Sequence, residues 1–290
     1  MIRKSRQKKQ QTPNSVKAQR PRPYWHVDMK WVSGILSLIL IFATLLVFSF
    51  WRLSSPENAI EISTLAIASV FSPDGLDATA DIEALLEEFN EDEDVIYPLE
   101  GMDFVSITRT DIEELSPREL RLKIFNQIVE PLYYEGAEEL ATRVTDDQEE
   151  IDSFVNDASL VSGINHDTHL KSRNILIVLI IASLASLISL IYFSHRFGKI
   201  VSPSLVTLFA TIPAALPVLF LSGMASGDGS TDQPGRAGTV IGEVAPLIVS
   251  ALMPTMLALL AVSLLGLIVA GVLRAWKGKL DYSNSIGISK

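Results

Sequence analysis

Apolar residues gather in four long uncharged runs, at positions 31–51, 174–194, 201–222 and 244–273, separated by polar sequence of very unequal length. About 20 residues of helix match a hydrocarbon core about 30 Å thick, so uncharged runs of this length predict membrane-crossing helices. Trp31 and Trp51 bracket the first run, where the amphipathic indole favours the membrane interface. Its apolar core and basic leader are long and no small-x-small cleavage pattern follows before Trp51-Arg52, which predicts a retained signal-anchor. Pro213 and Pro217 are expected to kink the outer half of the third span, with Pro203 near its start. The fourth run would extend ~45 Å as helix. It is therefore expected to tilt, to break near Pro246 or Pro254, or to project beyond the bilayer surface.

Between the first two spans, residues 53–170 carry helical patterning interrupted by turn residues. Ser55-Pro56-Glu57 has the chemistry of a helix start, and the uncharged stretch 62–73 is too short to span, so it is expected to be a core helix. Ile82, Leu85, Leu86 and Phe89 recur at helical spacing. Capping-box spacing occurs at Thr110-Asp111-Ile112-Glu113 and at Ser116-Pro117-Arg118-Glu119. After the second box, Leu120, Ile124, Ile128 and Leu132 mark one face of a helix that Pro131 is expected to end or kink near Glu130. Residues 145–148 should cap a further helix, and residues 95–108 read as a loop or one short strand pair. The resulting fold class is an all-α membrane protein, with four transmembrane helices and a mainly helical extracytoplasmic domain between helices 1 and 2.

Charge assigns the two sides. Residues 53–170 hold 29 of the 34 acids against five basic residues, whereas residues 1–30 hold nine Lys or Arg and one acid. Basic residues also lie within the short 195–199 connection and follow residue 273. Positive charge near spans is retained on the cytoplasmic side. The expected arrangement has a disordered basic tail (1–30), the 195–199 loop and the C-terminal tail (274–290) in the cytoplasm, with the acidic domain and the 223–243 loop outside. The expected location is the plasma membrane. The chain has no cysteine, which excludes disulfides and thiolate chemistry, and no N-x-[ST] acceptor, which points towards a prokaryotic source.

Candidate chemistry is sparse. His166, Asp167 and His169 offer two imidazoles and a carboxylate for a metal such as zinc, in the expected linker before the second span. Tyr133 and Tyr134 could divide roles, one packed inside and one offering its ring to a partner. Acidic loops at 74–77 and 91–94 lack the spacing of a calcium loop and read as solvated. The spans contain no Asp, Glu, Lys, Arg or His, which disfavours proton relays and ion pathways. Ser183, Ser186 and Ser189 of the second span, with Ala182/Ser186 and Gly266/Ala270, read as helix-packing positions.

No catalytic residue or cofactor is indicated. The expected role is an interaction or accessory-subunit protein whose acidic outer domain binds or positions a partner. A permease component for an uncharged or lipid-like solute and a membrane-bound metal-dependent hydrolase are the alternatives. The expected partners are the lipid bilayer and a membrane-complex or extracytoplasmic protein; nucleic acid is not expected.

Overall fold

The computed structural model describes residues 25–72, 75–79, 94–99, 101–158, 163–226 and 236–285. In chain order they form α1 (Trp25–Leu53), α2 (Pro56–Phe71), β1 (Val95–Ile96), β2 (Ile107–Thr108), α3 (Arg109–Glu114), α4 (Pro117–Tyr134), α5 (Ala137–Val144) and α6 (Gln148–Asp157). Three long helices complete the described chain: α7 (His166–Phe193), α8 (Gly198–Ser226) and α9 (Arg236–Ser285). The 82–89 apolar stripe and the acidic residues 91–93, with Asp74, lie outside the described residues.

Four helices are long and apolar enough to cross a membrane, as the hydropathy pattern predicts: α1, α7, α8 and α9. Each extends past its uncharged run. Residues 25–30 belong to α1 rather than to a tail, and α9 continues through 274–285. The 223–243 segment is helical at both ends, over 223–226 and 236–243, because α8 and α9 propagate past their apolar cores. Helix continues without a break through Pro203, Pro213 and Pro217 in α8, and through Pro246 and Pro254 across the 50 residues of α9. A helix of that length measures ~75 Å, far more than the hydrocarbon core, so a large part of α9 serves another purpose.

In the bundle, α1 pairs with α7 and α8 with α9, while α1 also packs on α8. Ile41, Leu45, Ala210, Ala214, Ala215 and Met256 fill the centre, with Leu187 of α7 packed against them. At one end Trp25 meets Phe193 edge-on at 6.1 Å, and Lys277 Nζ lies 6.0 Å from the Phe197 ring centroid. The start of α1, the α7–α8 turn and the end of the α9 span therefore share that end. At the opposite end Trp51 stacks on His169, and the intervening short helices begin there.

A hydroxyl ladder joins α1 to α7. Ser33 faces Ser189 at 3.1 Å, Ser37 faces Ser186 at 2.7 Å and Thr44 faces Ser183 at 2.9 Å. In α9, Gly266 lies so close to α8 that a Cβ there would stand 3.2 Å from Ser204 Cβ and closer still to its hydroxyl. Small residues thus permit close approach where lipid supplies no hydrophobic drive for association.

The intervening segment contains an antiparallel ribbon, pairing Val95 with Thr108 and Ile96 with Ile107. Ile96, Val105, Ile107, Ile112, Leu120 and Ile124 form its core. A second cluster joins Leu132, Ala137 and Leu140 to Phe154 and Val155. A third has Leu65 and Ala68 of α2 against Leu76 and Val244, with Leu122 and Phe125 of α4 packed on it. That cluster accounts for the N-terminal part of the excess length of α9: its first turns, at Val240 to Ile248, belong to the short-helix layer as much as to the bundle.

Several local expectations shift. Ser116 caps α4 with Glu119 as predicted. The other capping box is Thr108 with Asp111, two residues before the predicted pair, because Thr108 ends β2 with the extended backbone an N-cap needs. Asp147, rather than Thr145, caps α6 by accepting from Glu149 N–H at 2.9 Å, and Thr145 Oγ1 accepts from Asp147 N–H. Pro131 does not end α4, which continues to Tyr134. Gly136, at φ 97°, makes the corner instead and leads into the unpredicted α5.

Candidate functional site

The predicted chemistry-bearing residues meet at the junction between the bundle and the short-helix layer. His166, Asp167 and His169 are not in a linker. They form the first turn of α7, started by Asn165, which accepts from Thr168 N–H at 2.8 Å. Asn165 thus supplies a sequence signal, an Asx cap, that the metal-ligand pattern masks.

The two imidazoles diverge. His169 stacks on Trp51 at 5.7 Å and 20°, with its Nδ1 3.4 Å from Ser54 Oγ. His166 lies against Tyr134 at 5.6 Å and Tyr133 at 6.1 Å. Asp167 is exposed. Among the described residues no group of three or more His, Cys, Asp or Glu side chains gathers to hold a metal ion.

Tyr133 and Tyr134 take opposite environments: Tyr133 is 3% exposed and Tyr134 is 50% exposed. The Tyr133 hydroxyl donates to the Ser54 carbonyl at 2.8 Å, tying the last turn of α4 to the turn between α1 and α2. Burial, with a smaller contribution from Tyr134, pushes the Tyr133 phenol up to about 12, so it remains a hydrogen-bond donor at physiological pH.

Tyr134 also lines a groove of about 1020 Å³ between α2, α4 and α9. Its apolar floor includes Ile60, Leu65, Leu122 and Leu247, and its rim carries Glu57, Glu61, Glu119 and Glu130. Arg118 closes one end with a bidentate pair to Glu243: Nη2 to Oε2 at 2.5 Å and Nη1 to Oε1 at 3.2 Å. That hydrogen bonding raises the Arg118 pKa further, so it is a permanent cation in the wall. Lys123 is held by Asp111 at 2.6 Å, a bond that also lowers the Asp111 carboxyl pKa. Both basic side chains of the groove are thus committed to carboxylates. Glu57, Glu61 and Glu130 have no ion pair among the described residues.

Periodicity could identify each helix separately but not this enclosure, because α2 and α4 are separated by about 50 residues along the chain and α9 lies more than a hundred residues beyond α4. The first-span hydroxyls were the more legible omission: Ser33, Ser37 and Thr44 lie on one helical face, since spacings of 4 and 11 both approximate whole turns. Comparison with known protein families, curated proteins and solved structures found no match.

Proposed function

We propose that this protein is an integral membrane accessory protein whose acidic segment, facing the extracytoplasmic side, binds or positions a partner. The observation that carries this reading is the double attachment of the short-helix layer to the bundle. Tyr133 bonds to Ser54 at the end of α1, and Arg118 bonds to Glu243 on α9, beside the shared apolar cluster of α2, α4 and α9. Two separate attachments, reinforced by apolar burial, hold a surface in a fixed orientation above the membrane, which suits presentation rather than flexible tethering. Tyr134, half exposed beside the groove, is the aromatic offered on that surface.

The basic residues Lys30, Arg196, Lys199, Arg274 and Lys277 flanking the spans support cytoplasmic termini, and the membrane we propose is the plasma membrane. A solute passage has less support, since Ile41, Leu45, Ala214 and Met256 pack in the centre of the bundle.

Purification of the tagged full-length protein from native membranes in mild detergent tests the accessory role. A membrane or extracytoplasmic protein is expected to co-purify at a fixed ratio and to be depleted by Tyr134→Ala. Repeated recovery of the chain alone, after crosslinking in intact membranes, would remove the basis for an accessory role.

A further inference from the structure

Building on that accessory role, we propose that the groove between α2, α4 and α9 receives a basic amphipathic helix flanking a membrane span of the partner. Three properties of the groove define this occupant. The α4 wall from Arg118 to Tyr134 is ~24 Å long, enough to lie beside four to five turns of helix. The floor residues Ile60, Leu65, Leu122 and Leu247 call for an apolar stripe on whatever lies there. The rim calls for positive charge: Glu57, Glu61 and Glu130 lack ion pairs among the described residues, while Arg118 and Lys123 are engaged by Glu243 and Asp111.

Location supplies the membrane-flanking part. Pro246 and Leu247 line the groove and also belong to the membrane-span candidate Val240–Lys277. An occupant therefore lies where α9 enters the apolar zone. An anionic lipid headgroup or an acidic helix would meet like charge on the rim, which is costly across an interface. Tyr134, half exposed and lining the groove, is an aromatic ring available to an arriving Lys or Arg.

The test uses the full chain in phosphatidylcholine nanodiscs and a fluorescent Leu/Lys amphipathic peptide of about 18 residues, ~27 Å long as a helix. A Leu/Glu peptide of the same pattern is the counterpart. The Leu/Lys peptide is expected to bind in a salt-sensitive manner, and the Leu/Glu peptide is not. Combined Glu57→Gln, Glu61→Gln and Glu130→Gln should weaken binding about tenfold, as the loss of three partly solvated ion pairs implies. Glu138→Gln, Glu139→Gln and Glu150→Gln remove the same charge from exposed positions on α5 and α6 and should leave binding unchanged. Equal weakening by both triple variants, equal binding of the two peptides, or no binding of the Leu/Lys peptide would overturn the proposal. A co-purifying partner fully retained by the groove variant would reject the groove and leave the accessory role standing; recovery of the unaltered protein alone would reject the accessory role itself.

Discussion

Leu120→Ala is expected to open the short-helix layer while leaving the membrane bundle folded. Leu120 is 1% exposed and lies in one cluster with Ile96 and Ile107 of the ribbon, Val105, Ile112 of α3 and Ile124 of α4. Truncation removes buried methyl groups and leaves a cavity where the ribbon, α3 and α4 meet. Such changes cost about 2–5 kcal/mol, a large share of the ~5–15 kcal/mol that stabilises an ordinary domain. The bundle does not share that cluster: its core is built from Ile41, Leu45, Ala210, Ala214, Ala215 and Met256. In detergent, limited proteolysis should cut the variant between α2 and α7 at a lower urea concentration than the unaltered protein, with α1, α8 and α9 still protected. Leu264→Ala, at a side chain 49% exposed, serves as the comparison and should leave the pattern unchanged. Equal protection of Leu120→Ala and the unaltered protein would show that this cluster does not hold the layer together.

Ser37→Leu should be the most damaging single change at the α1–α7 seam, and Ser37→Ala should be mild. Ser37 is fully buried, with its Oγ 2.7 Å from Ser186 Oγ. The hydrogen bond itself contributes only ~0.6 kcal/mol, because a hydroxyl in a membrane helix finds other acceptors when it loses its partner. The close approach of the helices matters more. A leucine has no space in a seam where Ser33 and Ser189 are 3.1 Å apart and Thr44 and Ser183 2.9 Å apart. Forcing it in costs about 1–3 kcal/mol and separates α1 from α7. Unfolding of the helices in increasing dodecyl sulfate should therefore shift to lower detergent for Ser37→Leu and hardly at all for Ser37→Ala. The opposite order would assign the seam's stability to the hydrogen bond.

These two sites also show which parts of the molecule are legible in sequence. The spans are, because the bilayer requires a long uncharged run and few other structures satisfy it. The α4 start is legible because Ser116 and Glu119 satisfy each other locally. The end of α4 is not. Pro131 removes one backbone donor and ordinarily costs about 3 kcal/mol inside a helix, yet burial of Leu132 and Tyr133 and the bond from Tyr133 to Ser54 hold one more turn. These contacts are tertiary and invisible in a local window.

The same reason separates His166 from His169. Adjacent spacing suggested shared ligation, but α7 begins at His166, and the neighbouring helices draw one ring to Tyr134 and the other to Trp51. Tyr133 and Tyr134 were separable in advance only as a pair of unlike roles. Which one is buried depends on the register of α4 against Ser54.

We propose that the short-helix layer faces the outside from one end of the four-helix bundle, while the start of α1, the α7–α8 turn and Lys277 of α9, which share the other end, face the cytoplasm. Because the chain has no cysteine, single cysteines report sidedness without background. Glu139→Cys lies on exposed α5 and Lys199→Cys at the exposed start of α8, at opposite ends of the bundle. Labelling intact cells with a membrane-impermeant maleimide is predicted to modify Glu139→Cys at once and Lys199→Cys only after permeabilisation. Modification of Lys199→Cys in intact cells, with Glu139→Cys protected until permeabilisation, would contradict it.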